Sequence, residues 1–228
     1  MKMGELLELS PGSRLLDAAP GRGTQDLALH RQFGPLEIDG VDVTWKHVET
    51  ARARAKRAGA DSVRFHHASA VQLPFADARF THAMCLEAAH HFDTRAKFLA
   101  EAYRVLEPGG RLAMADFALV RSPRRGWERV VFDAVCGIWS VPRANEVSID
   151  SYGDMLRAIG YRDVHMEVVG VQTFPGYWRE QRRLERRREV LRIRGRMGAA
   201  LGTAMNYGLN QLFEQGWVEY VLVSATKP

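Results

Sequence analysis

Along the first 120 residues, short apolar runs alternate with longer stretches whose apolar positions recur every three or four residues. Arg14-Leu15-Leu16-Asp17 predicts a strand entering a Gly-rich turn, with a helix over about 24–33 behind it. Residues 36–43 predict a second strand, followed by an Ala/Arg-rich helix through Ala58. Val63-Arg64-Phe65 and residues 81–86 predict the third and fourth strands. Asp93 or Thr94 suits the N-cap of a helix whose Phe98, Ala102 and Val105 stand at i, i+4 and i+7. Pro108-Gly109-Gly110 stops it, and residues 111–115 return as a fifth strand. Strands and helices alternating at this spacing predict parallel βαβ units in an α/β, doubly wound sheet.

After Asp116 the rhythm changes. Helical patterns near 127–136 and 150–159 precede a strand over 164–171, an Arg-rich helix over 179–196 and another helix to about residue 213. Val218-Glu219-Tyr220-Val221-Leu222-Val223-Ser224-Ala225 predicts a closing strand.

The length of 228 residues suits one α/β domain with a full core. No apolar run has the length of a signal peptide or a membrane span, and the expected setting is the cytoplasm. Cys85 and Cys136 are too few for a disulfide framework or a metal knuckle, and Cys85 sits in an apolar strand pattern as a small hydrophobe. The net charge of +5 is local: nine arginines (179, 182, 183, 186, 187, 188, 192, 194, 196) against Glu180, Glu185 and Glu189 give +6 in one segment, leaving −1 elsewhere.

The chemistry begins at Asp17-Ala18-Ala19-Pro20-Gly21-Arg22-Gly23, between a strand and a helix. Small residues there let the backbone turn tightly and approach a ligand beside a helix N-terminus. Asp42 ends the next strand, 19 residues past Gly23, where an acid in a Rossmann-type fold accepts ribose hydroxyls. A dinucleotide site would want its third glycine at position 26, which is Asp26. An acid there repels a diphosphate but tolerates a sulfonium ligand, and Asp17 suits a cationic amino-acid group.

Leu15-Leu16-Asp17 with its turn, Gly40-Val41-Asp42, Ala68-Ser69-Ala70-Val71-Gln72-Leu73-Pro74-Phe75 and Arg104-Val105-Leu106-Glu107-Pro108-Gly109-Gly110 together resemble the motif set of class I S-adenosylmethionine-dependent methyltransferases. Cys85-Leu86-Glu87-Ala88-Ala89-His90-His91-Phe92 and Met114-Ala115-Asp116-Phe117 are similar to natural-product sugar O-methyltransferases of the rebeccamycin type. The resemblance covers about residues 5–120 and is looser beyond. It implies a Rossmann-like fold with a seven-stranded, mostly parallel sheet, helices on both faces and a helical lid. It implies one domain over 1–228: a cofactor-binding half over about 5–120, substrate-side and lid helices over about 121–215, and a final sheet strand over 216–226. Asp17, Ala19, Gly21 and Gly23 would then line the methionine end of S-adenosyl-L-methionine. Asp42 would bind the ribose and Val43 the adenine, Ser69 and Ala70 would meet the adenine edge, and Leu86 would offer its carbonyl to the cofactor amino group. Ala19 stands where the family has glycine, and Ser69 where it has aspartate. The family also places several helices ahead of the first strand, whereas this sequence enters that strand by residue 14.

Methyl transfer is an in-line displacement, so alignment matters most, and a hydroxyl nucleophile gains from a general base, commonly histidine. His90 and His91 follow the fourth strand and Asp116 ends the fifth, both at the sheet edge where α/β ligands bind. In the resembled sugar enzymes the matching residues act in acid–base roles, so His90, His91 and Asp116 are the catalytic candidates. The bland alternative is a histidine that caps the next helix or packs beneath a lid. No metal site is expected. The Arg-rich segment leaves three readings open: a solvated lid-helix face with Leu184 and Leu191 as a narrow apolar stripe, a site for an anionic small substrate, or nucleic-acid contact. Of the aromatics Phe132, Trp139, Tyr152, Phe174, Tyr177 and Trp178, most should be core and one or two could line an acceptor pocket. The expected activity is O-methylation, or C-methylation, of a small secondary metabolite. An RNA or protein methyltransferase and a non-methylating cofactor binder are the alternatives.

Overall fold

The computed structural model describes residues 2–123 and 126–228, with the side chains of Leu184, Arg187, Arg194 and Met205 outside the description. The elements are α1 (Lys2–Leu7), β1 (Arg14–Ala18), α2 (Thr24–Gln32), β2 (Glu37–Asp42), α3 (Trp45–Ala58), β3 (Val63–His67), β4 (Phe80–Leu86), α4 (Arg95–Val105), β5 (Leu106–Leu119), α5 (Trp127–Ile138), α6 (Ile149–Ile159), β6 (Arg162–Val168), α7 (Gly170–Arg182), α8 (Leu184–Glu214) and β7 (Val218–Thr226). The strands form one seven-stranded sheet in the order β3-β2-β1-β4-β5-β7-β6. β1 to β5 pair in parallel, and β7 runs antiparallel between β5 and β6. The α/β, mostly parallel sheet expected from the sequence is thus observed.

Side chains alternate across each strand, so one apolar run feeds two cores. Leu15, Ile38, Met84 and Ala113 face one side, packed under Leu29 of α2 and Val48, Ala51 and Ala55 of α3. Leu16, Cys85 and Met114 face the other, under Phe98, Leu99, Ala102 and Val105 of α4 and Tyr152 and Leu156 of α6. Phe132, Phe174, Leu209 and Leu212 bring α5, α7 and α8 onto Ala115, Trp217 and Tyr220 as a third cluster over the C-terminal half. Thr94 caps α4, its hydroxyl accepting from the Lys97 amide at 3.1 Å. Arg104 explains why two of the sequence motifs occur together: it donates to the carbonyls of Leu73 and Phe75 and to Asp77 and Glu101, clamping the 73–77 loop on α4.

Three boundaries differ from expectation. Asp116 lies three residues inside β5, because β7 pairs with that strand from Arg111 to Leu119 and holds it extended. The strand expected over 164–171 stops at Val168; the Val169 amide bonds the Tyr220 carbonyl at 2.8 Å, and α7 starts at Gly170, where a Cβ would stand 2.0 Å from the Glu219 carboxylate. The Arg-rich segment is not one helix. α7 ends at Arg182, Arg183 is extended (ψ 134°), and Gly195 (φ 67°, ψ 178°) interrupts α8. Leu191 is exposed, and the Leu184 half of the expected stripe lies outside the described residues. Among the described residues no helix is long and apolar enough to cross a membrane.

Candidate active site

Two groups of predicted residues converge at the C-terminal ends of the strands, one on β1 and β2, the other beyond β4 and on β5. In the first, Asp17 is fully buried on β1. Its Oδ2 accepts from Gln25 Nε2 at 2.7 Å, while Oδ1 has no partner. Asp26, in the first turn of α2, is equally buried; its carboxyl faces that of Asp17 and its own backbone amide, and no other donor among the described residues reaches it. Burial first, and then the facing Asp26 carboxyl, push Asp17 well above the usual carboxylate range; burial pushes Asp26 up to about 6.

The turn between them is left-handed three times, at Ala19 (φ 63°), Gly21 (φ 58°) and Gly23 (φ 68°). Gly23 is also required by packing, since a Cβ there would stand 2.5 Å from the Phe65 ring. Ala19 adopts a conformation that costs an L-residue roughly 1–2 kcal/mol. Asp42 ties the turn to β2: Oδ2 accepts the Gly21 amide at 3.1 Å and Oδ1 the Thr44 amide at 2.7 Å, with His47 Nδ1 at 3.5 Å. Val43 beside it is exposed. The Ala68 amide bonds the Asp42 carbonyl at 3.3 Å, which sets the 68–70 loop next to Asp42. There the Ser69 hydroxyl accepts from the Val71 amide at 3.3 Å, and the Ala70 side chain is buried in the core. Only the Ala70 backbone can therefore reach an adenine edge. Leu86 lines a cleft of about 370 Å³ together with Gln25, Met84, Ala115 and Tyr220.

The second group is a buried hydrogen-bonded centre. Asp116, fully buried on β5, accepts from His90 Nδ1 at 2.7 Å, Arg95 Nε at 2.7 Å and the Tyr152 hydroxyl at 3.1 Å. Burial alone would raise this carboxyl; the Arg95 guanidinium and then His90 reverse that and hold it well below the usual range. A charged Asp116 fixes the proton of His90 on Nδ1, so Nε2 is the free base, and it is buried without a partner. His90 lies between two pockets, one apolar, lined by Phe132, Val135, Cys136, Leu209, Leu212 and Val218 among others, the other lined by Glu87, Thr173, Phe174, Tyr177 and Tyr220.

The two histidines separate. His91 turns away from Asp116 toward the Ser140 carbonyl at 3.5 Å, and burial followed by the neighbouring His90 lowers its pKa. Arg95, Tyr152 and Asn145 were not singled out as site residues by sequence. Arg95 is 2% exposed, and Asn145 holds it through its side chain and carbonyl. One signal existed: a basic residue in the first turn of a helix opposes the macrodipole, so Arg95 needed an anion elsewhere. Among the described residues no His, Cys, Asp or Glu group could hold a metal ion.

Comparison with known proteins decides the family. Residues 16–114 match the family described as methyltransferase domain. The chain is 33% identical over its whole length to 27-O-demethylrifamycin SV methyltransferase of Amycolatopsis mediterranei and spans 82% of that enzyme. The chain belongs to the class I S-adenosylmethionine-dependent methyltransferases. It is also 32% identical, over 78% of its length, to erythromycin 3''-O-methyltransferase of Saccharopolyspora erythraea, of which it spans 60%. In fold it is similar to geranyl diphosphate C-methyltransferase of Streptomyces coelicolor, solved with S-adenosyl-L-homocysteine (TM-score 0.81, 18% identity, covering 100% of this chain and 78% of that one). S-adenosylmethionine is thus this methyltransferase's cofactor, and the residues fit it. The Asp17–Asp26 carboxyl pair, pushed up by burial, meets no cation of the protein among the described residues and would gain from a cationic ligand.

Proposed function

We propose that the enzyme methylates a hydroxyl of a small, largely apolar natural product, with His90 as general base and Asp116 as the residue that orients it. Bound at the turn between β1 and α2, S-adenosylmethionine would supply an electrophilic sulfonium methyl. Asp17 and Asp26 would hold its cationic end, Ala19, Gly21 and Gly23 would let the backbone approach it, and Asp42 would take the ribose. Val43 would cover the adenine, Ser69 and the Ala70 backbone would meet its edge, and the Leu86 carbonyl would take the amino group. On the acceptor side, His90 Nε2 takes the hydroxyl proton as the oxygen attacks, and Asp116 stabilises the resulting imidazolium, the division of labour known from histidine–aspartate pairs elsewhere. Arg95 and Tyr152 keep Asp116 charged and in place. His91 borders the site without touching Asp116.

The single observation that carries this reading is the buried His90–Asp116 pair, whose Nε2 has no partner among the described residues. The two relatives, named for methylation of demethylrifamycin and for 3''-O-methylation of erythromycin, support the acceptor class. A small acceptor is favoured over nucleic acid because part of the positive charge of 179–196 is spent within the segment, Arg183 with Glu180 and Arg186 with Glu189. A cytoplasmic setting and one catalytic domain over the whole chain belong to the same proposal. His90→Ala should lower turnover of an alcohol acceptor by about 10²–10⁴-fold and leave cofactor affinity nearly intact. His91→Ala should fall by much less. Full activity of His90→Ala would remove histidine from the mechanism; lost cofactor binding, measured by calorimetry, would move His90 into the cofactor pocket.

A further inference from the structure

The Arg-rich segment and the helix behind it take no part in that chemistry. From Arg182 to Met197 every described residue except Val190 is exposed, so this stretch stands clear of the body as an arm. Gly195 (φ 67°, ψ 178°) bends it, in a backbone region that only glycine occupies without strain and with open space around it. Beyond the bend no charged residue occurs from Met197 to Phe213. There Met197, Ala200, Leu201, Ala204 and Tyr207 form an outward stripe at helical spacing, all of them exposed, Met197 by 86%. The neighbouring helices leave it bare. α7 holds the opposite flank, where the Tyr177 hydroxyl donates to Asn206 at 2.9 Å. α5 meets only the C-terminal part of α8, with Val135 against Gly208 and Trp127 beside Trp217.

The charge next to this stripe is in part unspent. Arg183 pairs with Glu180 and Arg186 with Glu189, whereas Arg179, Arg188, Arg192 and Arg196 meet no acid among the described residues. Leu191 and Ile193 are exposed between them. An apolar stripe left in water marks an interaction surface, and the charge beside it selects the partner. A second copy meeting this one through the same surface would bring two segments of +6 together. Nucleic acid would neutralise the arginines but leave Ile193, Met197 and Leu201 in water. A bilayer with anionic headgroups answers both features: its phosphates meet the arginines, and its acyl boundary takes the apolar side chains.

We propose that residues 188–207 bind the surface of an anionic membrane, with Arg188, Arg192 and Arg196 at the headgroups and Ile193, Met197 and Leu201 in the acyl boundary. The contact is peripheral and needs no spanning helix. The helix that carries Met197 and Leu201 ends on Leu209 and Leu212, which wall the apolar pocket beside His90, so membrane contact sets that pocket close to the lipid.

The test is sedimentation of the whole chain, loaded with S-adenosylhomocysteine, with vesicles of phosphatidylcholine alone or of equal parts phosphatidylcholine and phosphatidylglycerol. The mixed vesicles should bind it far better, and high salt should weaken that binding. Replacing Arg188, Arg192 and Arg196 together by glutamine should lower partitioning onto the mixed vesicles by about 100-fold, roughly five-fold for each arginine. Replacing Ile193, Met197 and Leu201 together by serine should lower it by at least about 10-fold and keep the salt dependence. All six side chains are exposed, so both variants should keep the wild-type melting temperature and affinity for S-adenosylhomocysteine. No preference for the anionic vesicles, or an arginine variant that binds them like wild type, would overturn the proposal. Binding lost with the arginines but unchanged in the serine variant would also overturn it, and would assign the arm to a polyanion such as RNA. A lipid-free dimer in sedimentation velocity that the serine variant dissolves would give the stripe to a second copy instead.

Discussion

Two buried carboxylate centres stand on the same sheet, and the protein treats them in opposite ways. On β1, Asp17 meets Asp26 with no cation in contact among the described residues, and burial raises both pKa values. On β5, Asp116 is equally buried but meets Arg95, His90 and Tyr152, and its pKa is lowered. Burial is common to both; the counter-charge differs. An internally satisfied carboxylate serves to orient a neighbour, as Asp116 orients His90, and needs nothing from outside. A carboxylate pair without an internal counter-charge gains from a ligand cation, which fits a sulfonium amino acid. In the proposed scheme the division corresponds to the two halves of the reaction.

The comparison breaks hardest if Arg95 is removed. Arg95→Met leaves Asp116 buried with only His90 and the Tyr152 hydroxyl and should cost about 3–5 kcal/mol of stability at neutral pH, measured by urea unfolding. The pH dependence should also change sign. In the wild type the lowered Asp116 carboxyl contributes stability that is present above about pH 4 and is lost as the pH falls through its folded value. Without the guanidinium its pKa rises, and stability should then fall with rising pH. A loss of less than about 1 kcal/mol would mean that Arg95 is not what holds Asp116 charged.

Asp26→Asn probes the other centre and should act in the opposite direction. A carboxyl raised to about 6 keeps a proton in the folded state that the unfolded chain releases near pH 4, so wild-type stability should fall between about pH 4 and 6 and stay low above. Removing the charge should gain roughly 1–3 kcal/mol at pH 8 and flatten that slope. The same variant should bind S-adenosylmethionine more weakly, since one of the two acids facing the cation is gone. Higher stability with unchanged cofactor affinity would confine Asp26 to the fold and assign the cation to Asp17 alone.

The smallest effect is expected in the backbone beside Asp17. Ala19→Gly relieves a left-handed alanine and should stabilise by about 1 kcal/mol, offset in part by the entropy of glycine in the unfolded chain. Its cofactor affinity should stay equal or improve, because the Cβ next to the approaching ligand is removed. Lower stability in thermal melts would show that the turn does not hold Ala19 at φ 63°.

The first five strands, the turn at Asp17–Gly23 and the acid at Asp42 were legible because each depends on local periodicity or on a short motif whose backbone demands are its own. His90 and Asp116 were legible as candidates because both fall just past strand patterns that had to be neighbours. Their pairing was not, nor was the turning of His91 away from Asp116, because consecutive residues on a tight turn point in different directions that only the packing of β5 decides. Arg95, Tyr152 and Asn145 come from α4, α6 and the segment before α6, separated in sequence by up to 57 positions, and meet only around one buried charge. The extent of β5 was set by β7 and the start of α7 by Glu219, both contributed from more than 40 residues further along the chain. Hydrophobic spacing by itself determined which stretches become strands and helices, and the Gly-rich motif marked the turn proposed to face the cofactor. The tertiary structure alone decided which buried charges are paired, because electrostatic compensation acts through space between side chains whose sequence positions carry no record of each other.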